Sequence, residues 1–265
     1  MSLVEALILG LVQGLTEFLP VSSSGHLVLA ERLLGVTFND ITFEVAIHFA
    51  TLLAVLIFFF RPLIKIFFSP FKMLSGKRSD NTVVNFRILI AICIGTIPAV
   101  IIGLSFKDRI ESAFSSVTMV SILLLATSAI LLSSRFAKPK GSAIGAGNGF
   151  LIGCAQALAI LPGISRSGST ITASLFCGVS REESFNFSFM LSVPAILGAS
   201  ALTALDMFEA EAFQGGISYL VGMVAAFVSG YFSLVILKRI VTSGRFHYFG
   251  FYTLIIGLIG IIFLR

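Results

Sequence analysis

Two short segments of this sequence concentrate side chains that can bind a phosphate group and act on it. The first spans residues 13–26 and reads QGLTEFLPVSSSGH, and the second spans residues 161–170 and reads LPGISRSGST. Together they hold a carboxylate, an imidazole, a guanidinium and a run of hydroxyl groups. Arg166, in the second segment, is the only Lys, Arg, Asp or Glu between residues 143 and 179. Its planar fork suits phosphate, so an anion site is the first chemistry to consider.

The side chains in these segments predict distinct roles. Gln13 and Glu17 are four residues apart, so a helix places them on one face, where they can hold a divalent cation that bridges phosphate oxygens. His26 is a candidate acid or base, and a neighbouring serine is a candidate nucleophile. Arg166 is the candidate phosphate clamp. The hydroxyls and glycines expected to contact the phosphate are Ser22, Ser24, Gly25, Ser165, Ser167, Gly168 and Thr170.

Simpler interpretations apply to each of these residues taken alone. A turn rich in Ser, Gly and Pro connects many helices without any function, and a single buried histidine is more often structural than catalytic. Glu17 would also be needed if it only neutralised Arg166. The concentration of all these groups in two turns favours a functional site. Glu44 and His48 form another pair one helical turn apart, and we interpret them as cavity-wall residues.

The composition places both segments in a membrane protein. Hydrophobic residues make up 57% of the chain and charged residues 12%, against about 25% charged residues in soluble domains. Its long apolar runs, of about 18–20 residues, suit membrane-spanning helices. The net charge of +5 sits in a few loops, which indicates membrane topology and no nucleic-acid partner. The six predicted spans are 43–60, 87–106, 117–134, 184–205, 217–237 and 246–264.

The two chemical segments lie inside apolar stretches that differ from the spans. Residues 2–35 and 143–179 are each interrupted by a Pro, Ser and Gly cluster, which leaves two halves too short to cross a bilayer. We expect each stretch to form a re-entrant helical hairpin with its tip inside the protein. Aligning positions 10–25 with positions 153–168, without gaps, gives six identities in sixteen positions. The identical pairs are Gly10/Gly153, Gln13/Gln156, Leu15/Leu158, Ser22/Ser165, Ser24/Ser167 and Gly25/Gly168.

The repeated hairpins predict an all-α polytopic membrane fold with an inverted-topology repeat, six transmembrane helices and two re-entrant hairpins. Each hairpin is followed by three spans, which gives repeats 1–134 and 143–265 within one membrane domain. Because three spans reverse the direction of the chain, the second repeat is inverted relative to the first. The two tips then meet near the middle of the membrane, where helix N-termini favour an anion.

The distribution of basic residues predicts the orientation, since cytoplasmic loops carry an excess of Lys and Arg. Assigning residues 61–87, 135–142, 180–183 and 238–247 to the cytoplasm places 13 of the 18 Lys and Arg residues inside. The basic residues left outside are Arg32, Lys107, Arg109 and Arg265. Both termini are then outside, hairpin one enters from outside, and hairpin two enters from inside.

The two motifs resemble those of undecaprenyl-diphosphate phosphatases of the bacitracin-resistance type. The resemblance rests on residues 13–26, on residues 162–170 and on residues 178–189, which read GVSREESFNFSF, and it extends over essentially the whole chain. It implies a multi-pass enzyme of the bacterial plasma membrane that removes the terminal phosphate of undecaprenyl diphosphate. The product is the lipid carrier for peptidoglycan synthesis. Bacitracin resistance follows because bacitracin sequesters the substrate.

The resemblance also implies roles for particular residues and a divalent cation, Mg²⁺ or Ca²⁺. Glu17 serves the metal and acts as a base, Ser23 is the nucleophile, and His26 is its acid/base partner. Arg166 clamps the diphosphate. The family often has Glu at the position of Gln13, so here Glu17 is the principal carboxylate. The sequence leaves open whether Ser23 forms a phosphoenzyme or only hydrogen-bonds while water attacks.

The residues alone leave a second kind of function open. Inverted repeats with broken helices are also typical of secondary transporters, so a lipid or anion transporter, or a flippase, would use the same site without cleavage. A non-catalytic membrane scaffold is a third alternative. His26 and the additional serines favour an enzyme whose partners are a polyprenyl diphosphate and the bilayer, with the active site on the outer side. The oligomeric state stays open, a homo-oligomer included.

Overall fold

The computed structural model describes residues 1–34, 41–76, 78–209 and 216–264. Within these ranges the chain forms helices and contains no strand. Lys77 and Arg265, which enter the count of basic residues above, lie outside the described residues. The α-helices are α1 (Leu3–Phe18), α2 (Ser23–Leu34), α3 (Ile41–Phe58), α4 (Phe60–Phe67), α5 (Ser69–Leu74), α6 (Asp80–Ser105), α7 (Lys107–Phe114), α8 (Val117–Ser133), α9 (Ala146–Leu158), α10 (Arg166–Phe176), α11 (Arg181–Glu209), α12 (Ile217–Thr242) and α13 (Phe249–Phe263). Two 3₁₀ turns cover Ser134–Phe136 and Phe246–Tyr248.

The described helices make the protein a multi-pass membrane protein. Five segments are long and apolar enough to cross a bilayer, and a sixth arises if α3 and α4, which are bent by 77° at their junction, form one broken span. The five are Asp80–Ser105, Val117–Phe136, Arg181–Ala201, Ile217–Thr242 and Phe246–Phe263. Five of the six predicted spans overlap these five segments, and the sixth, 43–60, overlaps the bent pair α3 and α4. The five or six candidate spans therefore confirm an all-helical polytopic protein.

Residues 61–87, which the sequence assigned to the cytoplasm, are largely helical, and the next span begins at Asp80, earlier than the predicted residue 87. Helix α6 starts at Asp80, where the Ser79 side chain accepts a hydrogen bond from the Thr82 backbone N–H and caps the helix. Before it, α4 and α5 turn away from α3 and carry exposed phenylalanines beside their basic residues. Such short helices suit the membrane surface, where apolar and basic side chains separate onto different faces.

The four helices of the predicted hairpins are too short to span a membrane. Helices α1, α2, α9 and α10 have 16, 12, 13 and 11 residues, which is about 16–24 Å at 1.5 Å per residue. The hydrocarbon core is about 30 Å thick. Helix α1 ends at Phe18 because Pro20 disfavours helical backbone at Leu19.

Small residues let the hairpin helices pack closely on long spans. Helix α1 lies against α12, and a Cβ added at Gly10 would overlap the backbone of Gly222. Helix α9 lies against α6, and a Cβ added at Gly153 would overlap the backbone of Gly95. Helices α1 and α9 therefore each pack on a long helix from the other half of the chain, through backbone contacts that only small residues permit.

An aromatic cluster supports the end of α1. Phe18 packs edge-on against Phe189 of α11, with ring centroids 5.7 Å apart. Phe59 and Phe185 extend this cluster, and all four rings are buried. Because Phe18 directly follows Glu17, the cluster fixes the turn of α1 that carries the carboxylate.

Candidate active site

The carboxylate of Glu17 joins three helices. Its Oε2 accepts hydrogen bonds from the Ser23 hydroxyl at 2.5 Å and from Nε2 of Gln13 at 3.1 Å. Its Oε1 pairs with the Nη2 of Arg166. The side chain of Glu17 is 7% exposed and that of Arg166 18% exposed, so the pair lies largely inside the protein. The structure thus brings together Gln13, Glu17, Ser23 and Arg166, which the sequence placed in two distant segments.

The first tip is the turn between α1 and α2. It contains Ser22, whose φ of +70° lies in the left-handed region. This conformation is uncommon for a residue with a side chain, and here it reverses the chain between α1 and α2. The Ser22 hydroxyl accepts a hydrogen bond from the Gly25 backbone N–H at 3.3 Å and lies 3.2 Å from the Ser24 hydroxyl. Ser22, one of the predicted phosphate-contact residues, therefore caps α2, and Ser24 and Gly25 lie in the first turn of that helix.

The second tip repeats these hydrogen bonds at the equivalent positions of its own motif. The Ser165 hydroxyl accepts from the Gly168 backbone N–H at 3.1 Å and lies 3.4 Å from the Ser167 hydroxyl. Ser165 is the N-cap of α10, so Arg166 is the first residue of that helix. Ser23 is the first residue of α2 in the same way. The Ser23 hydroxyl and the Arg166 guanidinium thus extend from two helix N-termini to one carboxylate, in a field that favours negative charge.

Thr127 of α8 anchors the second tip. The sequence had not indicated this role for Thr127. Its hydroxyl donates to the Gly163 carbonyl at 2.7 Å and accepts from the Ser165 backbone N–H at 2.9 Å. Gly163 has a φ of +98°, and a Cβ there would overlap the Val120 carbonyl. The only sequence signal for Thr127 was a hydroxyl inside an apolar span.

The two tips touch each other at glycine. A Cβ added to Gly25 would lie 3.4 Å from Cα of Gly163 and 3.3 Å from the Ser22 hydroxyl oxygen. A methyl group at position 25 would thus already be in van der Waals contact with the backbone of the second tip. The close approach of the tips is what allows Arg166 to reach Glu17.

His26 has partners other than those the sequence suggested. Its Nδ1 lies 2.9 Å from the Ser22 carbonyl oxygen, and its Nε2 lies 2.8 Å from the Tyr252 hydroxyl. Among the described residues, no hydrogen bond joins His26 to Ser23 or Glu17. Its role as acid/base partner of Ser23 therefore stays a prediction, and Tyr252 is a neighbour that no motif signalled.

His48 lies at the carboxylate, as its interpretation as a cavity-wall residue implied. Its Nε2 is 3.8 Å from Oε2 of Glu17, while its Nδ1 donates to the Glu44 backbone carbonyl at 2.8 Å. The Glu44 backbone thus orients the ring. Helix α3 contributes a third wall to the site, beside the two hairpins.

Comparison with known proteins identifies the family of this site. The sequence profile of the family described as bacitracin resistance protein BacA matches residues 6–259. The chain belongs to the BacA family. It is 42% identical over 263 residues to an undecaprenyl-diphosphatase of Desulfosudis oleivorans, and the alignment covers 96% of this chain and 96% of the relative. An undecaprenyl-diphosphatase of Desulforapulum autotrophicum is 40% identical over 272 residues, covering 99% of this chain and 98% of the relative.

A third relative comes from Bacillus thuringiensis. The undecaprenyl-diphosphatase 2 of Bacillus thuringiensis is 38% identical over 266 residues, with 99% of this chain and 98% of the relative covered. The predicted resemblance to the bacitracin-resistance family is therefore confirmed over nearly the full length of the chain.

Thr170, a predicted phosphate-contact residue of this BacA-family site, has hydrogen-bond partners inside the protein. It is buried, and its hydroxyl donates to the Arg166 carbonyl at 2.8 Å and is also hydrogen-bonded to the Ser188 hydroxyl of α11. These bonds stabilise the first turn of α10. A direct contact between Thr170 and phosphate stays a prediction.

Gln13 and Glu17 fit the divalent cation that the BacA family implies. Gln13 is buried, and its Oε1 has no hydrogen-bond partner among the described residues, although its Nε2 donates to Glu17. Across the described part of the chain, no three His, Cys, Asp or Glu side chains form a metal cluster. Mg²⁺ usually takes one or two protein oxygens together with phosphate and water oxygens. A free amide oxygen beside a carboxylate fits a cation that binds with a phosphorylated substrate.

Proposed function

We propose that this chain is an integral membrane phosphatase that hydrolyses undecaprenyl diphosphate to undecaprenyl phosphate and inorganic phosphate. The observation that carries the proposal is the Glu17 carboxylate held between the Ser23 hydroxyl and the Arg166 guanidinium. It occurs in a chain 42% identical to an undecaprenyl-diphosphatase. The reaction would recycle the lipid carrier for cell-wall synthesis and so give resistance to bacitracin.

The diphosphate would bind to the positive charge of Arg166, which Glu17 neutralises in the structure. Arg166 has five N–H donors in a planar fork, and a phosphate offers it a bidentate partner. The terminal phosphate would take the place of the carboxylate on part of this fork. The two helix N-termini then lie beside an anion, as their dipoles favour.

In this proposal Glu17 acts as the base. Its Oε2 already accepts the hydrogen bond of the Ser23 hydroxyl, so proton transfer along that bond would leave the Ser23 oxygen as the nucleophile. That oxygen would bond to the terminal phosphorus as the bond to the bridging oxygen breaks, releasing undecaprenyl phosphate. Water would then hydrolyse the phosphoserine. In the alternative that the sequence left open, Ser23 only orients the phosphate while Glu17 deprotonates an attacking water.

Gln13 and Glu17 are the residues that would hold the divalent cation, Mg²⁺ or Ca²⁺. When bound, such a cation would neutralise charge on the phosphate oxygens. Charge neutralisation and positioning are what phosphoryl transfer chiefly requires. Arg166 already compensates the Glu17 carboxylate, so we expect the cation to bind together with the diphosphate, whose own negative charge then offsets both positive groups.

We also infer that the fold is an inverted repeat with two re-entrant hairpins, formed by residues 1–134 and 143–265. The support is the same set of capping hydrogen bonds at equivalent positions of the two tips and the packing of α1 and α9 each on a long helix from the other half. From the distribution of basic residues we infer that the site faces the outer side of the bacterial plasma membrane. A site that is only partly exposed also suits a lipid whose tail stays in the hydrocarbon while its head group enters.

Phosphate release from a polyprenyl diphosphate by the purified protein tests this function. The assay is run in detergent, with Mg²⁺ and with Ca²⁺, and with Arg166→Ala as the inactive comparison. Release by the wild type that Arg166→Ala abolishes supports the phosphatase. If folded wild type releases no phosphate with any divalent cation, the proposal fails, and lipid movement in vesicles would then test the transporter alternative.

A further inference from the structure

His48 of α3 points one ring nitrogen at the carboxylate of Glu17. Its Nε2 lies 3.8 Å from Oε2 of Glu17, and among the described residues no hydrogen bond reaches this nitrogen. The His48 side chain is 27% exposed and that of Glu17 is 7% exposed, so solvent and small ions can reach the ring beside a largely buried carboxylate. The proposed reaction uses other side chains and leaves this imidazole without a role.

The backbone of α3 decides which nitrogen of His48 carries the proton. Nδ1 lies 2.8 Å from the Glu44 carbonyl oxygen, which can only accept, so Nδ1 is the donor. In the neutral ring Nε2 then carries a lone pair. The 3.8 Å between this nitrogen and Oε2 of Glu17 is too long for a hydrogen bond. Two electron-pair donors therefore face each other, an arrangement that a cation bound by both would stabilise.

We propose that His48 is a further ligand of the divalent cation and binds it through Nε2. The inference rests on the proposed function for the presence of the cation. Two ligands of one ion each lie about 2.0–2.2 Å from it, so they are at most about 4.4 Å apart. The observed 3.8 Å between His48 and Glu17 is within this limit. Ligating histidines usually donate their other N–H to a carbonyl or carboxylate, as His48 does to Glu44.

A nitrogen ligand changes which cation the site prefers. Gln13 and Glu17 offer oxygen atoms alone, and Gln13 is neutral, so these two residues by themselves suit Mg²⁺ or Ca²⁺. Imidazole instead favours first-row transition metals, whose affinity for a mixed nitrogen and oxygen site rises from Mn²⁺ to Co²⁺. The site should therefore bind Mn²⁺ more tightly than Mg²⁺, with His48 accounting for the difference.

An ion pair between a protonated His48 and Glu17 is the alternative to exclude. A proton on Nε2 would also relieve the two facing lone pairs. The carboxylate, however, already accepts hydrogen bonds from Ser23 and Gln13 on Oε2 and pairs with Arg166 through Oε1. The experiment must separate a bond between metal and nitrogen from such an ion pair.

Electron-spin-echo spectroscopy of bound Mn²⁺ detects a directly bonded nitrogen and does not depend on activity. The purified protein receives Mn²⁺ and methylenediphosphonate, a diphosphate analogue without the bridging oxygen. In wild type we expect modulation from a histidine nitrogen, and its frequency should change when the protein is made with ¹⁵N-labelled histidine. The label leaves the fold intact, so this measurement needs no variant. Wild type without bound Mn²⁺, or with Mn²⁺ but without nitrogen coupling, would overturn the inference.

Substitutions identify which of the three histidines binds the metal. His48→Leu should remove the nitrogen signal and lower Mn²⁺ affinity at least about tenfold, since even outer-shell partners of metal ligands contribute about 10- to 100-fold. Mg²⁺ affinity, measured by competition with Mn²⁺, should fall less than about threefold, because Mg²⁺ relies on oxygen ligands and water. His247→Leu, in the 3₁₀ turn before α13, is the matched control and should bind Mn²⁺ like wild type.

His26→Ala keeps the assignment testable even if His48→Leu does not fold. The nitrogen signal should persist in this variant, because both nitrogens of the His26 ring already have partners, the Ser22 carbonyl and the Tyr252 hydroxyl. A signal that disappears in His26→Ala, or that survives in His48→Leu, would assign the ligand elsewhere and overturn the inference.

These outcomes are separate from those that test the phosphatase. Wild type that shows the nitrogen signal but releases no phosphate would refute the proposed function and leave the ligand role of His48 standing. Wild type that releases phosphate but shows no nitrogen signal would refute the ligand role alone.

Discussion

Replacing Arg166 by lysine separates the charge of this residue from its geometry. The Arg166 side chain is 18% exposed and pairs with a carboxylate side chain that is 7% exposed. Removing one partner of such a pair costs about 3–5 kcal/mol of stability, because the other charge is left buried. Lysine keeps the positive charge, so Arg166→Lys should lose much less stability than Arg166→Ala. Unfolding midpoints of the two variants in one detergent check this difference.

The activity of Arg166→Lys should fall much further than its stability. A lysine cannot hold the phosphate with two parallel N–H donors while it stays near Glu17. Loss of one charge-assisted hydrogen bond costs about 1.5–3 kcal/mol, and each 1.36 kcal/mol in the transition state is about tenfold in rate. We therefore expect kcat/KM to fall by about 10- to 150-fold.

The assay is phosphate release from a polyprenyl diphosphate over a range of substrate concentrations at fixed Mg²⁺. Arg135→Lys is the matched control, because Arg135 is exposed in the turn after α8 and its replacement makes the same chemical change outside the site. It should match wild type. A folded Arg166→Lys within about threefold of wild-type kcat/KM would refute the argument that the bidentate fork is needed.

The remaining predictions concern the carboxylate, the nucleophile and the anchor of the second tip. Glu17→Gln should abolish phosphate release and the response to divalent cations, and an unchanged metal titration would exclude Glu17 as a ligand. Ser23→Ala distinguishes the two routes: a rate within about tenfold of wild type would rule out an obligatory phosphoserine. Thr127→Val removes two hydrogen bonds to the second tip and should lower both stability, by about 1–3 kcal/mol, and activity. Thr96→Val is its control, since that hydroxyl donates to the Ile92 carbonyl of its own helix; equal effects of the two would contradict the anchoring role.

The sequence predicted much of the site because the chemistry lies in contiguous motifs. The ends of α1 and the starts of α2 and α10 follow from local rules, namely proline after a helix and serine before one. Arg166 is the only Lys, Arg, Asp or Glu from position 143 to position 179, so a partner was expected, and its pairing with Glu17 was the simpler alternative to a site where Glu17 holds a cation and Arg166 a phosphate. Local patterns and one electrostatic requirement were enough to bring Glu17 and Arg166 together.

Other parts of the site were not predictable because apolar spans carry little information about which face meets which helix. Tyr252 and Thr127 lie in such spans, and nothing in their periodicity directs them to a hairpin tip. The bend between α3 and α4 was missed for a different reason. Its apolar phenylalanines continue past the bend, so the run reads as the end of one span followed by a basic loop.

The differences between the two tips explain why a repeated motif makes one asymmetric site. In the ungapped alignment of the two hairpins, Glu17 corresponds to Ile160 and Ser23 corresponds to Arg166. Two identical copies of the first tip would place two carboxylates and no cation around a diphosphate, and like charges would repel the substrate. Isoleucine in place of the second carboxylate removes that repulsion, and arginine at the helix start supplies the attraction. The shared serines close the first turns of α2 and α10 with equivalent hydrogen bonds, although the backbones differ, with a φ of +70° at Ser22 and −74° at Ser165. The division of roles therefore follows from the different side chains at these aligned positions.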